Sequence, residues 1–377
     1  MNKDIRNQTL IKDNNRHLVM KTLWENSPVS RAVLARLTAL NKATITNLVS
    51  EMDESGIIKD LGYQSNGVGR SSNLIMLNAD ILTCAGISVS TTSISVMISD
   101  IYAKQLWRED FPFDAAKDPV SLMEELAGKV SAGLSAAGRG AETLQGIAIG
   151  LPSVVNRATG QIYAAEIINW RDIPVRDIFH RHFNTNVFVD TITNHALLGE
   201  RWFGEAQNIK NAVYLRIGKG IGTALLLDGN LYTGHQGYAG YVSHMTIEPN
   251  GPLCKCGKRG CWELLASALA FDESVSAIRE RAENGDVKTL VSLEKIGTNL
   301  AKGIYNIISM YNPEVILIGG SMAQLFDYYI GPCRAALRGL LLPPIYESTQ
   351  IKASKLAADS AIIGAVTDVI DHYLNEA

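Results

Sequence analysis

H-M-T-I-E-P-N-G-P-L-C-K-C-G-K-R-G-C-W-E, residues 244–263, carries three of the chain's five cysteines, Cys254, Cys256 and Cys261, in a C-x-C-x4-C run with His244 just upstream. Three thiolates and an imidazole are the ligand set of a closed tetrahedral zinc site, which keeps no open position for catalysis. Gly257 and Gly260 let the loop turn tightly enough to bring all three sulfurs to one ion. A disulfide and a chance grouping of buried cysteines are the rivals to zinc. A bridge across C-x-C is strained, and no secretory signal points to an oxidising compartment. The zinc is expected to be structural. Trp262 and Glu263 then open an apolar stretch (Leu264, Leu265, Ala266, Ala268, Leu269) that reads as a helix. A metal clamp at a helix start fixes where Glu263 points, so this stretch is a candidate wall of a small-molecule site.

The chain has 377 residues, 46% hydrophobic and 19% charged, with a formal net charge of -3. That length predicts more than one domain. A near-neutral balance excludes global attraction to nucleic acid, so any DNA contact needs a local patch. The opening M-N-K-D-I-R-N-Q has no apolar signal region, and no apolar run reaches the roughly 18 residues that span a bilayer. These features predict a cytoplasmic protein.

The first part of the chain reads as three helices. Leu18, Val19, Leu23 and Trp24 recur at helical spacing over 14–24. Ser27-Pro28-Val29-Ser30 breaks that run, and Ser30 can cap a second helix over 31–39. A turn at Leu40-Asn41 leads to a third, 42–55, with Ile45, Leu48, Val49 and Met52 on one face. Thr44, Thr46, Asn47 and Ser50 lie on the other. Two short helices around a tight turn form the helix-turn-helix pattern, whose second helix enters the major groove. Ser30, Arg31, Asn41, Lys42, Thr44, Thr46, Asn47 and Ser50 are the candidate DNA contacts, Lys42 on phosphate and the small polar residues on base edges. Ile57–Lys59 and Asn73–Leu77 can pair as a wing whose loop carries Gly69 and Arg70, an arginine suited to a minor groove. The same pattern also fits a plain three-helix domain with a solvated hairpin tip.

Beyond a boundary at Asn78-Ala79-Asp80, strands over 82–90, 92–99, 146–151 and 186–190 alternate with an alanine-rich helix over 118–137, an α/β lobe. A second lobe follows. Its strands 212–217 and 222–227 flank Gly218-Lys219-Gly220, and the cysteine loop comes next. One long helical region runs from Ala266 to about Tyr311, then a strand over 315–318 ends in Gly319-Gly320.

In this order, the helix-turn-helix, Gly69-Arg70, the G-L-P loop at Gly150, Asn169-Trp170, G-K-G-I-G, H…C-x-C-G-x-x-G-C-W-E and N-P-E-V-I-L-I-G-G at Asn312 to Gly320 resemble the ROK family (repressors, open reading frames and sugar kinases). The resemblance covers nearly the whole chain and is closest to the repressor branch. It implies a winged helix-turn-helix over 1–78 and a first actin-like (RNase H-like) α/β lobe over 79–192, completed by a C-terminal helix over 358–377. A second lobe with the zinc loop covers 193–357. It further implies zinc on His244, Cys254, Cys256 and Cys261, a sugar between the lobes, and a homodimer or dimer of dimers.

Three departures bear on function. Family kinases carry D-x-G-G-T at the first strand turn, where this chain has Ser88-Val89-Ser90-Thr91-Thr92. Their N-D-A-N, whose Asp is the general base, corresponds to Thr191-Ile192-Thr193-Asn194, and an isoleucine accepts no proton. Their E-x-G-H corresponds to Tyr241-Val242-Ser243-His244. The expected protein is therefore a transcriptional regulator, a repressor of carbohydrate genes, and not an enzyme. Its ligand site is expected to use Ser153, Asn169, Thr191, Ile192, Tyr241, His244 and Glu263. With two carboxylates gone, the expected effector is a less hydroxylated, modified or larger sugar stacking on Tyr241, unless the site has lost small-molecule binding. The alternatives are a sugar kinase with a DNA-binding appendage and a repressor controlled by a protein partner.

Overall fold

A computed structural model describes residues 2–64, 72–165, 168–271 and 273–376. Helix α1 (Asn2–Asn26) is followed by a two-residue strand β1 (Val29–Ser30), α2 (Arg31–Thr38), α3 (Lys42–Glu54), and strands β2 (Ile58–Gln64) and β3 (Ser72–Leu77). Two local caps start the short helices: the Val33 N–H donates to Ser30 Oγ at 3.4 Å and the Thr44 N–H to Asn41 Oδ1 at 2.8 Å. Ile45, Leu48, Val49 and Met52 are buried, while Thr46 and Asn47 face solvent, which is the amphipathic split the spacing predicts. The strands form a sheet in the order β1-β3-β2. Gly69 and Arg70 lie outside the described residues. Helix α1 starts at Asn2 and not near Asn14, because its first turns are polar and give no periodic signal.

The first lobe is a five-stranded sheet ordered β11-β7-β4-β5-β6. Its strands are β4 (Thr83–Val89), β5 (Ser93–Asp100), β6 (Gln105–Pro112), β7 (Leu144–Leu151) and β11 (Asn186–Thr191). Helix α4 (Pro119–Ala136), capped by Asp118, packs on one face. A side sheet of β8 (Val154–Asn156), β9 (Gln161–Ala165) and β10 (Trp170–Ile173) is joined to β11 by the short α5 (Val175–His180). Helix α6 (Ile192–Phe203) leaves the end of β11 directly.

The second lobe repeats the plan with β14-β13-β12-β15-β16. Here β12 (Ala212–Ile217), β13 (Ile221–Leu227) and β14 (Asn230–Tyr232) form a meander, and β15 (Val315–Gly319) and β16 (Gln350–Ala353) run parallel to β12. The helical region after Ala266 is not continuous, contrary to the expectation from its sequence. It is divided into α7 (Trp262–Ala266), a single 3-10 turn, α8 (Val275–Glu283) and α9 (Val287–Tyr311). Ser267, Ser274 and Asp286 each cap a new start by accepting the N–H of Leu269, Ala277 and Thr289, and such side chains compete with helix continuation. Helices α10 (Phe326–Leu340) and α11 (Pro343–Ser348) complete the lobe's outer layer.

Helix α12 (Ser360–Glu376) returns to the first lobe and packs on β4, β7 and α6. The α6–α12 crossing is close enough to require glycine. A Cβ on Gly364 would stand 1.6 Å from His195 O, and one on Gly199 2.3 Å from Ser360 O. The N-terminal unit is also built into this lobe. Val19, Met20, Leu23 and Trp24 share one buried cluster with Met97 and Ile101 and with Val366, Val369, Ile370 and Leu374 of α12. Trp24 Nε1 donates to Ile101 O at 2.5 Å, and its ring meets Trp202 edge-on at 4.5 Å. The boundary read at Asn78-Ala79-Asp80 thus marks no gap in packing.

Candidate functional site

Strands β4, β7 and β11 of one sheet and β12 and β15 of the other end at a common cleft of about 770 Å³, the position where open α/β sheets bind ligands. Thr91, Thr92, Ser153, Thr191, Ile192 and Thr193 line it from the first lobe. Arg216, Lys219, Tyr241, His244 and Glu263 line it from the second. Each expected ligand residue except Asn169 is on this lining. Asn169 sits exposed in the hairpin between β9 and β10 with φ 56°, a left-handed position that suits asparagine. Its sequence neighbourhood gave no hint that the side sheet carries this turn outside the cleft.

The polar groups differ in what they still offer. Among the described residues the buried Ser153 Oγ has no hydrogen-bond partner, a hydroxyl left to serve a bound molecule. Glu263, 3% exposed, accepts the Ile221 N–H at 3.3 Å through one oxygen. Thr191 Oγ1 is used as the cap of α6, accepting the Asn194 N–H at 3.0 Å. Tyr241 is 56% exposed, and its ring meets that of His244 edge-on with centroids 6.0 Å apart. At the first strand turn Ser90 Oγ accepts the N–H groups of Thr92 and Ser93, so the turn satisfies its own amides.

Behind Ile192 lies a buried ionic network that the sequence does not disclose. Arg157 reaches Asp190 Oδ2 at 2.7 Å and Asp368 Oδ1 at 2.8 Å. Asp190 Oδ1 accepts the Thr191 N–H and Asn194 Nδ2 at 2.6 and 2.7 Å, and His195 Nε2 lies 3.3 Å from Asp368. Burial alone would raise the Asp368 carboxyl, but the charge of Arg157 and the contact with His195 hold it below the usual carboxylate range. Arg216 is a second residue that the sequence patterns do not single out. The signal for it was a charged residue inside the apolar run A-V-Y-L-R-I.

The cysteine loop has the geometry of a metal site. His244, Cys254, Cys256 and Cys261 each offer a ligand atom, all within 4.8 Å of one another. Cys256 and Cys261 Sγ are 3.5 Å apart, and Cys254 Sγ is 3.7 Å from His244 Nδ1. A tetrahedral ion with metal–sulfur bonds of about 2.3 Å needs edges of about 3.6–3.8 Å, so the donors fit. The sulfur separation is far beyond a disulfide, and the three cysteines are free thiols. Backbone bonds join this loop to the cleft: Trp262 N–H to Met245 O at 2.8 Å and Glu263 N–H to Ser243 O at 2.9 Å.

Comparison with known proteins agrees with this architecture. The model of the ROK family matches residues 84–371. The xylose repressor of Bacillus spizizenii is 29% identical over 99% of both chains. The glucokinase of Thermotoga maritima is 27% identical over 76% of this chain and 96% of its own. A solved ROK family transcriptional regulator, a homologue of the Escherichia coli MLC protein, superposes with a TM-score of 0.83 at 23% identity and 97% coverage of each chain. The repressor match thus takes in nearly the whole chain, and the glucokinase match about three quarters of it.

Proposed function

The chain belongs to the ROK family, and from that premise we propose that it is a transcriptional repressor of carbohydrate uptake or catabolism genes. It binds operator DNA through α3 and takes a carbohydrate-type effector in the cleft. The observation that carries this reading is the single buried core that unites the DNA-binding unit with the first lobe and α12. Movement of the first lobe on closure carries the recognition helix with it. Helix α6 has its capping Thr191 in the cleft and its Trp202 against Trp24, about 18 Å of rigid helix between sensor and reader. Effector binding favours one closure angle, resets the separation of two recognition helices in a homodimer or dimer of dimers, and lowers operator affinity. Reciprocity requires operator DNA to weaken effector binding by the same factor.

Kinase activity is read as lost. At the position of the family's general base stands Ile192. The nearby carboxylate, Asp190, is 3% exposed, consumed by Arg157, Thr191 and Asn194, and not on the cleft lining. The metal is read as zinc with a structural role, which also fixes Glu263 and Tyr241 through the loop. A place of action on operator DNA makes the protein cytoplasmic, and no helix among the described residues is long and apolar enough to cross a membrane.

Selection of bound sequences from random and genomic DNA, followed by titration of the complex with sugars, tests the reading. A pseudo-palindromic site near carbohydrate genes, released by a sugar, is expected. Failure to select any sequence, or ATP consumption with a sugar, overturns it. Within the selected site, Asn47→Ala is expected to weaken binding roughly 5- to 150-fold and relax preference at one base pair. Lys42→Ala is expected to weaken all sequences alike and to reduce the salt slope by about one.

A further inference from the structure

Arg216 gives the cleft a cation that no carboxylate among the described residues neutralises. Along β12, Val213, Leu215 and Ile217 belong to the core of the second lobe, while Ala212 and Tyr214 pack with Ile192, Ala196 and Leu197 towards α6. Alternation puts Arg216 on that second face, at the end of the strand beside the cleft. Its register partners on both sides are glycines, Gly222 and Gly319, so no neighbouring side chain in the sheet covers it. Among the described residues it makes no hydrogen bond or ion pair. The two glutamates on the lining are engaged, Glu263 by the Ile221 N–H and Glu273 by Arg281 at 2.9 Å. Lys219 and Lys255 add further positive charge.

A partly desolvated cation without a counter-ion is costly, and folds retain one where a ligand supplies the charge. Burial pushes the Arg216 pKa down, although a guanidinium stays charged. The surroundings agree with this, because Ile192 and Tyr241 stand where two acceptor carboxylates would repel an anion.

We propose that the effector is an anionic polyhydroxy compound, a sugar phosphate or sugar acid, whose phosphate or carboxylate is gripped by the Arg216 fork with Lys219 as a second cation. Its hydroxyls go to Ser153 and Glu263. This rests on the reading that the cleft holds an effector.

The full-length protein would be titrated calorimetrically with D-xylose, D-xylonate, D-glucose, D-gluconate and D-glucose 6-phosphate, and each would be tested for release of the operator complex. One anion is expected to bind at least about tenfold tighter than its neutral parent, the range of a charge-assisted hydrogen bond. Gluconate against glucose 6-phosphate separates carboxylate from phosphate. Arg216→Met is expected to erase that advantage while melting no lower than the parent, since it removes an uncompensated cation; Arg216→Lys is expected to keep part of it. Equal binding of parent and anion, or a preference that survives in Arg216→Met, overturns the proposal. Release by a neutral sugar alone overturns the anion site and leaves effector sensing standing. Release by none, with the operator still bound, overturns both.

Discussion

Arg157→Met is expected to destabilise the protein by about 3 kcal/mol in denaturant unfolding. The change leaves two buried carboxylates, Asp190 and Asp368, without their shared cation, and breaking a buried pair from one side costs about 3–5 kcal/mol. The lower end applies because 35% of the arginine side chain is exposed. The pH dependence identifies the cause. In the parent, Asp368 is held below its ordinary value, so the contribution of the pair is present above the unfolded carboxyl pKa of about 3.9 and is lost as the pH falls through the lower folded value. In the variant Asp368 keeps its contact with His195 but loses the Arg157 charge that opposes burial, so its carboxyl is expected to titrate higher than in the parent, and protonation relieves it. The gap between parent and variant is therefore expected to narrow as the pH is lowered from about 7 to 4. A gap that stays constant would assign the loss to packing. Asp190→Asn, which removes one charge and keeps the Thr191 cap, is expected to cost less.

Chelation of the proposed zinc is the other large perturbation. Three sulfurs and an imidazole lie within 4.8 Å of one another, two of the pairs at tetrahedral edge lengths, and in such sites binding energy is folding energy. With free zinc a thousandfold above its Kd, the bound ion contributes about 4 kcal/mol. For a lobe of this size chelation is expected to lower the melting temperature by roughly 10 °C. Elemental analysis is expected to find one zinc per chain. Cys261→Ser, at a fully buried ligand, should mimic chelation and add no further loss when chelator is present. A chelator-insensitive melt in a chain without zinc would sink the site. Because Trp262 and Glu263 hang on the same loop through Met245 and Ser243, effector affinity is expected to fall with the metal, before global unfolding.

What could be read from the sequence was mostly what is local in it. The short helices of the N-terminal unit declare themselves through caps three residues long, Ser30 to Val33 and Asn41 to Thr44. The four metal donors fall within one loop. Cleft-lining residues were named through the motifs of the family resemblance, which place Thr191, Ile192, Tyr241 and His244 at its sugar-site positions. The helical stretch after Ala266 was misjudged because its three capping side chains look, one by one, like ordinary helix-surface residues. Arg157 meets partners 33 and 211 positions away, and no window of sequence contains such a pair. Asn169 was placed in the cleft by the motif around it, whereas the side sheet carries it to an exposed turn.

Helix α12 has a consequence for how the protein comes into being. It closes the sheet of the first lobe, meets α6 with backbones in contact, and supplies Val366, Val369, Ile370 and Leu374 to the cluster that seats Trp24. During synthesis α2 and α3 emerge first, yet the surface that fixes their orientation emerges some three hundred residues later, and domains generally fold as they leave the ribosome. A chain ended before α12 would own α3 without the seat that aims it. Under the proposed function, competence to occupy an operator is thus deferred until residues near 370 have been made.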